Sequence, residues 1–523
     1  MSAKETLATL MPERSLRERC GIIGLYLPSA DRGSQVSISI QAVIGLWHRG
    51  QQGAGLTIKD RNGLTTHHGT GDPEQAFSSN AVNYLNNGDI PIWIIGQTRY
   101  GTTGSWDEIN LQPMTSCSPN NGPMAVAHNG QFTEIEKMKE DVDEPIPDGA
   151  SDTYIFSRLL AKTQEASWDE KITSTLEKVS GAYSLVIGAG DALYLARDPQ
   201  GIRPLVLGKI GDGFIAASET HALDKVGASV IREIKRGEIL RIDKDGLKTI
   251  KEGMDGPGNF CDFEWDYFSR PDSLYPTDPQ DSSNPEKWRS VYEFREECGR
   301  TLAKEHPILN ASFLIGIPDS GVPVSIGYAN ALGIPYRQLI LRDHYDPNGN
   351  ERLFQADYDK TKIGQRVIGK LSLVPNNRIW KNAIVVLGDD SCVRGDSSNA
   401  LTKAVFNAGA KEVHWIFGFP QVIHPCYLGV SMRTHRELIA FRNQGDPKKI
   451  AREIGATSVN YIGHEGFIQA RLRSGTDLFI PEDRSEIFLA NGGCGGCLTG
   501  LYPVDQNGVI YDRKRLGQFL RNQ

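Results

Sequence analysis

Short apolar runs set off by glycine, proline or polar clusters dominate the first half of the chain. Ile22–Leu27, Ile92–Ile95, Ala125–Ala127, Tyr183–Ile187 and Phe214–Ala217 have the length and make-up of strands. Helical segments fall between them, so residues 20–255 predict a layered α+β domain. The glycine-rich stretch Gly253–Asn259 reads as a linker. Beyond it the rhythm becomes strand, loop, helix. Phe313–Ile317 runs into a Pro-Asp-Ser-Gly turn and the helical Val324–Leu332; Ala383–Leu387 runs into a Gly/Ser loop and then Asn399–Ala408. That alternation predicts a parallel sheet flanked by helices over residues 256–475, with residues 476–523 as a C-terminal extension. Internal repeats and low-complexity tracts are absent.

A chain of 523 residues has room for two or three domains with large cores. The net charge of -7 argues against non-specific nucleic-acid binding, so an anionic substrate must meet a local basic or amide-lined pocket. The leader, residues 1–19, is charged throughout and lacks the apolar core of a secretory signal. No apolar stretch approaches the roughly 20 residues that span a bilayer. The eight cysteines are too sparse for a disulfide scaffold, which points to a reducing compartment and a cytoplasmic enzyme.

Cys20 opens the run Cys20-Gly21-Ile22-Ile23-Gly24. A cysteine freed to become residue one carries its own general base. A liberated α-amine titrates near about 7.7–8.0 and can take the thiol proton through one water. An internal cysteine has an amide nitrogen there and lacks that base.

Four further segments carry polar groups: Trp47–Gln51, Thr98–Thr102, His128–Gly130 and Ser151-Asp152. Alone each is bland; His-Asn-Gly, for example, is usually a hairpin corner. In this order behind Cys20 they resemble the class II, N-terminal-nucleophile glutamine amidotransferases over residues 20–240. The resemblance implies a four-layer αββα glutaminase domain. It implies Cys20 as nucleophile, with the Asn129 side-chain amide and the Gly130 N–H as oxyanion hole. Arg99 would clamp the α-carboxylate of glutamine and Asp152 its α-ammonium, with Arg49 and Thr102 as supports of the glutamine site. Gln97 stands where relatives often carry histidine and is given no catalytic role.

The string from Ile384 to Ser398 is a buried strand delivering Asp389 and Asp390, followed by a Gly/Ser loop and a helix N-terminus. Paired carboxylates there can accept hydrogen bonds from vicinal hydroxyls, and the amides and hydroxyls of Arg394, Gly395, Asp396, Ser397 and Ser398 can wrap a phosphate. The string resembles the signature of the type I phosphoribosyltransferases, which bind phosphoribosyl pyrophosphate (PRPP). Asp319, Ser320 and Gly321 resemble the pyrophosphate loop of those α/β enzymes. With Phe263–Ser273 and Ala408–Val413, nearly the full chain resembles the amidophosphoribosyltransferase family. That implies ammonia passing from glutamine to C1 of PRPP in the first step of purine synthesis. Mg²⁺ at Ser320, Asp389 and Asp390 would neutralise leaving-group charge, and Arg352 and Lys370 would add cations.

Three departures touch this anion site. Asp396 stands where relatives usually carry threonine; facing the phosphate at about 5 Å it would cost about 3 kcal/mol at an effective dielectric of about 20. Turned outward, it would instead cap the following helix. The lid segment Leu341–Phe354 is lengthened and has His344 in place of an expected arginine. An arginine often found beside Lys370 is missing.

Cys261, Cys426, Cys494 and Cys497 are scattered, and only the last two have ligand-like spacing. Their segments match one branch of the family, which implies a cleaved leader and a [4Fe–4S] cluster on these four cysteines. Zinc is the runner-up and unligated thiols the third reading. Cys117, Cys298 and Cys392 are read as packing residues. Relatives form homotetramers regulated by purine nucleotides. Two rival readings stay open: a paralogue serving another phosphosugar-like acceptor, and a non-catalytic nucleotide-binding regulator.

Overall fold

The structure is a computed structural model that describes residues 19–100, 108–254, 256, 258–277, 281–342, 371–375, 377–432, 434–472 and 476–504. Thr102, His344, Arg352 and Lys370 lie outside the described residues, as does the leader up to residue 18.

The first domain is built from thirteen strands. β1 (Arg19–Tyr26) is followed by the hairpin of β2 (Gly53–Asp60) and β3 (Gly63–Thr70), then β4 (Trp93–Tyr100) and β5 (Met114–Ser118). β6 (Gly122–Phe132), β7 (Gly181–Ala189) and β8 (Ala192–Arg197) come next, then β9 (Val206–Ile210) and β10 (Gly213–Ala217). β11 (Ser229–Glu233), β12 (Ile239–Asp243) and β13 (Gly246–Lys251) complete the set. They form a seven-stranded sheet ordered β11-β9-β10-β1-β4-β2-β3 and a six-stranded sheet ordered β13-β12-β8-β7-β6-β5.

The two sheets stack face to face. Ile22, Trp93 and Ile95 of the first meet Ala125, Val186, Leu195 and Leu240 of the second in one dry layer. Close stacking needs missing side chains: a Cβ at Gly188 would lie 2.4 Å from the Trp93 ring, and one at Gly24 2.6 Å from Val186. Helix Arg32–Gly45 covers the outer face of the first sheet through Val36, Ile40 and Val43. Helices Asp152–Lys162 and Trp168–Leu176 cover the second. The layers are αββα, as expected, with β1 central in its sheet and the nucleophile on it. The His128-Asn129-Gly130 triplet lies inside β6 and not at a hairpin corner.

After the linker, β14 (Phe260–Cys261), β15 (Leu274–Tyr275) and β16 (Arg289–Ser290) are short ladders. β17 (Phe313–Gly316) starts the second sheet; β18 (Ile340–Arg342) and β19 (Leu371–Leu373) pair outside it. β20 (Ile384–Asp389), β21 (Glu412–Phe417) and β22 (Ser458–Tyr461) complete a parallel sheet ordered β17-β20-β21-β22. Helix Val291–Glu305 packs backbone to backbone on helix Gly321–Leu332. A Cβ at Gly299 would sit 1.9 Å from the Val324 carbonyl, and one at Gly327 1.9 Å from that of Glu296. The C-terminal extension returns to the linker, because β23 (Gly493–Cys494) pairs in parallel with β14. Of the three cysteines read as packing residues, Cys298 and Cys392 are buried, but Cys117 is exposed on β5.

Candidate functional site

Register between β1 and β4 places Cys20 directly opposite Arg99, and both are buried. Gly21 donates its N–H to Thr98 Oγ1 (3.3 Å) and Ile22 to Ser218 Oγ (3.1 Å), so side chains fix the strand behind the nucleophile. The single helical turn Trp47–Arg49 abuts this strand pair. Only glycine fits at position 50, where a Cβ would come within 2.6 Å of the Thr98 and Arg99 backbone. That close approach carries Arg49 beneath Cys20. Its Nε donates to the Cys20 carbonyl at 3.1 Å, and Nη1 and Nη2 donate to Glu219 (2.6 Å) and Glu264 (2.9 and 2.7 Å). The Arg49 guanidinium is therefore committed to protein groups, and through the Cys20 carbonyl it holds the nucleophile strand.

Asn129 and Gly130 sit mid-strand on β6 opposite Ser184 and Tyr183. Asn129 is 1% exposed, and its Nδ2 has no hydrogen-bond partner among the described residues. A buried amide donor left unpaired costs about 1–3 kcal/mol, so it implies a ligand oxygen. Gly130 has φ 148° and a Cβ there would lie 1.9 Å from the Ala182 carbonyl, so no other residue fits. Arg99 has the same signature, a buried Nε with no partner in a strand beside Cys20. Asp152 opens its helix; its carboxylate accepts from Phe132 N (2.8 Å), Gln131 Nε2 (3.1 Å) and Thr153 N (2.7 Å). These bonds seat it at the end of the Asn129–Gly130 strand. Gln97 is buried and donates to the His128 carbonyl at 3.1 Å, tying the two sheets together. Burial holds the His128 ring neutral, its pKa lowered to about 3.

These positions predict separable effects. Arg99→Ala removes this guanidinium and raises KM for glutamine by about ten- to a hundredfold, as loss of a charge-assisted hydrogen bond worth about 1.5–3 kcal/mol requires. Steady-state kinetics of glutamate release reads it.

The carboxylates behind Arg49 were not legible as site residues. Glu219 and Glu264 are both fully buried. Burial raises their pKa values, but the cations outweigh it. His48 and Arg49 hold Glu219 well below the carboxylate range, and Arg49 and Arg203 hold Glu264 low. His48 Nε2 meets Glu219 Oε1 at 2.7 Å, on the oxygen that Arg49 also uses. Arg203 adds a bond to Glu264 at 3.0 Å.

His48 faces a cavity of about 220 Å³ shared by the two domains. Gln51 lines the same side, and Asp319, Ser320, Asp389 and Asp390 line the other. A Cβ at Gly321 would lie 2.5 Å from the Gly388 carbonyl, so the turn after β17 presses on the end of β20 and brings Ser320 to Asp390. Burial, and for Asp389 the neighbouring Asp390 charge, pushes both carboxyls up. A cation or a donor-rich sugar in the cavity would reverse that cost. Ser397 lines the cavity with a buried Oγ that has no partner. Asp396 opens helix Asp396–Ala408, where its charge suits the helix dipole, and does not line the cavity. The Arg394 guanidinium pairs with Glu437 (Nε, 3.0 Å) and Ser431 O (3.3 Å), which leaves the backbone amide as this residue's route to a phosphate. Gly395 takes φ 86° and Ser398 Oγ faces Cys392 Sγ at 3.7 Å. Arg270, Arg295 and Arg342 do line the cavity; Arg270 pairs with Asp272 and Arg342 with Asp319, while Arg295 is held by the Trp265 and Ser269 carbonyls at 3.0 and 2.9 Å. Its place inside an amphipathic helix gave the sequence no signal.

Residues 105–225 match a family profile described as a glutamine amidotransferase domain. The amidophosphoribosyltransferase of Bacillus subtilis is 32% identical over 494 residues, covering 94% of this chain and 95% of its own length. That of Methanothermobacter thermautotrophicus is 33% identical, with coverages of 95% and 96%. A solved B. subtilis glutamine PRPP amidotransferase, complexed with ADP and GMP, superposes with a TM-score of 0.77 at 32% identity, covering 94% of this chain and 99% of that one. This chain belongs to the amidophosphoribosyltransferase family.

In this amidophosphoribosyltransferase-family chain, residues of both halves line one cavity. Cys261, Cys426, Cys494 and Cys497 are all buried. Cys261 and Cys494 are register partners on β14 and β23, and Cys426 Sγ accepts from Leu428 N at 3.4 Å. Burial pushes the Cys261 thiol up to about 12, and burial and then the neighbouring cysteines push up Cys494 and Cys497. The four thiols are thus electrostatic neighbours. Among the described residues no three His, Cys, Asp or Glu side chains are placed to hold a metal ion, and no helix is long and apolar enough to cross a membrane.

Proposed function

We propose that Cys20, freed of residues 1–19, hydrolyses glutamine and that the ammonia reaches C1 of PRPP through the cavity shared by the two domains. The Cys20 thiol gives its proton to the new α-amine and attacks the carboxamide; Asn129 Nδ2 and the Gly130 N–H receive the developing oxyanion. Ammonia leaves, water opens the thioester, and glutamate departs. In the acceptor pocket the C1–oxygen bond to pyrophosphate breaks as the C1–nitrogen bond forms with inversion. The ammonia nitrogen then sheds one proton, giving 5-phosphoribosylamine. Asp389 and Asp390 hold the ribose hydroxyls, and the Ser320 loop takes the pyrophosphate.

The observation that carries this reading is the 220 Å³ cavity with His48 and Gln51 on one wall and Ser320, Asp389 and Asp390 on the other. Two carboxylates beside a serine suit Mg²⁺, which takes one or two carboxylates plus substrate oxygens and would neutralise pyrophosphate charge. The cysteine quartet suits a [4Fe–4S] cluster at Cys261, Cys426, Cys494 and Cys497, with a structural role. Thiolates around one zinc stand about 4 Å apart, given a Zn–S bond of about 2.3 Å. The described cysteines do not gather that way. Purine-nucleotide control and a homotetramer are proposed from the relatives, one of which was solved with ADP and GMP. The charged leader, without the apolar core of a secretory signal, supports a cytoplasmic enzyme.

The test is turnover of anaerobically purified protein with glutamine, PRPP and Mg²⁺, with intact-mass and iron analysis. A mass beginning at Cys20, about four irons per chain as the cluster requires, and product dependent on both substrates are expected. Glutamate release that ignores PRPP and yields no phosphoribosylamine would refute the acceptor assignment.

A further inference from the structure

The segment Cys426–Val430 belongs to the acceptor half of the chain, yet it is built against the glutaminase centre at two points. A Cβ placed on Gly429 would lie 3.1 Å from both the carbonyl carbon and oxygen of Gly130, and 2.8 Å from Arg203 Nη2. Gly429 also takes φ 102°, so the position is closed to other residues by conformation as well as by space. Next to it, the Leu428 carbonyl accepts from Arg203 Nη2 at 2.6 Å. Arg203 Nη1 donates to Glu264 Oε1, Glu264 accepts from both terminal nitrogens of Arg49, and Arg49 Nε holds the Cys20 carbonyl. Every side chain of that chain is 6% exposed or less.

We infer that the Cys426–Val430 segment positions the glutaminase centre, with Gly429 setting the place of the Gly130 oxyanion donor and Arg203 carrying the same segment's position to the Cys20 backbone. The inference deepens the proposed function and rests on its assignment of Gly130 to the oxyanion hole. Backbone amides that stabilise an oxyanion work within a few tenths of an ångström, and misplacement by about 1 Å costs about 10²-fold. A rigid neighbour on the carbonyl side of Gly130 limits where its Cα can lie, and the Gly130 N–H on the other side of that atom is held in place with it. The same segment carries Cys426, whose Sγ receives the Leu428 N–H, so the thiol and the contact on Gly130 share one short piece of backbone.

Gly429→Ala tests it. Expected is a fall of about tenfold or more in kcat for glutamate release, with KM for glutamine changed less than about threefold and ammonia-dependent phosphoribosylamine synthesis unchanged. A merely structural role lowers both activities together with the melting temperature, and that result overturns the inference, as does wild-type kcat with glutamine. Should the alanine variant fail to fold, Arg203→Lys replaces it. One ammonium head cannot span Glu264 and the Leu428 carbonyl, so the same split is expected at smaller size, and its absence overturns the inference. Asn129→Ala run alongside separates the two levels. If it stays active, the oxyanion assignment fails and the inference with it; if it is inactive while both other variants match wild type, the positioning role alone fails. If wild type uses no ammonia, the acceptor reading fails, and kcat against melting temperature still decides the role of Gly429.

Discussion

Asn129→Ala lowers glutamine-dependent turnover by about 10²–10³-fold, equivalent to about 2.7–4 kcal/mol of transition-state stabilisation. The side chain is 1% exposed, and its Nδ2 has no partner among the described residues. In the free enzyme that donor is a standing cost; it is recovered only when an oxygen with developing charge arrives. Removal should therefore leave KM for glutamine nearly unchanged and act on kcat, because the interaction belongs to the transition state. Ammonia-dependent synthesis bypasses the step and should persist. Measuring both activities on one preparation checks the prediction. A variant that loses both, or that raises KM alone, would show Asn129 to be a packing or ground-state residue.

The glutaminase half was legible because its chemistry is written locally. Cys20, Arg99, Asn129, Gly130 and Asp152 each lie in a short motif; the fold then distributes them over β1 and β4 of one sheet, β6 of the other and the helix that Asp152 opens. The layered α+β class followed from apolar runs that the structure extends into β1, β4, β6, β7 and β10, while the αββα order came from the family resemblance. What stayed hidden depends on distant pairing. Glu264 was visible inside Phe263–Ser273, but nothing local says that it receives Arg49 from 215 positions away. Glu219 lacked even a motif. Arg394 was read for its loop amides, and nothing local says that its guanidinium pairs with Glu437, 43 positions later. Arg295 reaches the cavity from a helix whose pattern showed only amphipathicity. Long-range ion pairs have no sequence period, so propensity and spacing cannot report them.

Glu264→Gln destabilises the folded chain by about 3–5 kcal/mol, the cost of leaving a buried cation without its counter-charge. Arg49 keeps Glu219, but Arg203 is left with the Leu428 carbonyl as its recorded acceptor among the described residues. For a domain of this size the loss lowers the melting temperature by roughly 6–12 °C. The pH dependence fixes the cause. Burial raises the Glu264 carboxyl, yet Arg49 and then Arg203 bring it below its ordinary value. A group whose folded pKa is depressed contributes stability above its unfolded pKa, near about 4.3, and loses it as pH falls through the folded value. The gap between wild type and Glu264→Gln should therefore be full at neutral pH, hold to about pH 5, and close on further acidification. Urea unfolding across that range, with guanidinium salts avoided because they screen charge, reads it directly. A gap that stays constant down to the acid limit would assign the loss to packing and not to the Arg49–Glu264–Arg203 network. Because that network ends on the Cys20 carbonyl, turnover with glutamine should fall in the same variant at temperatures where it remains folded.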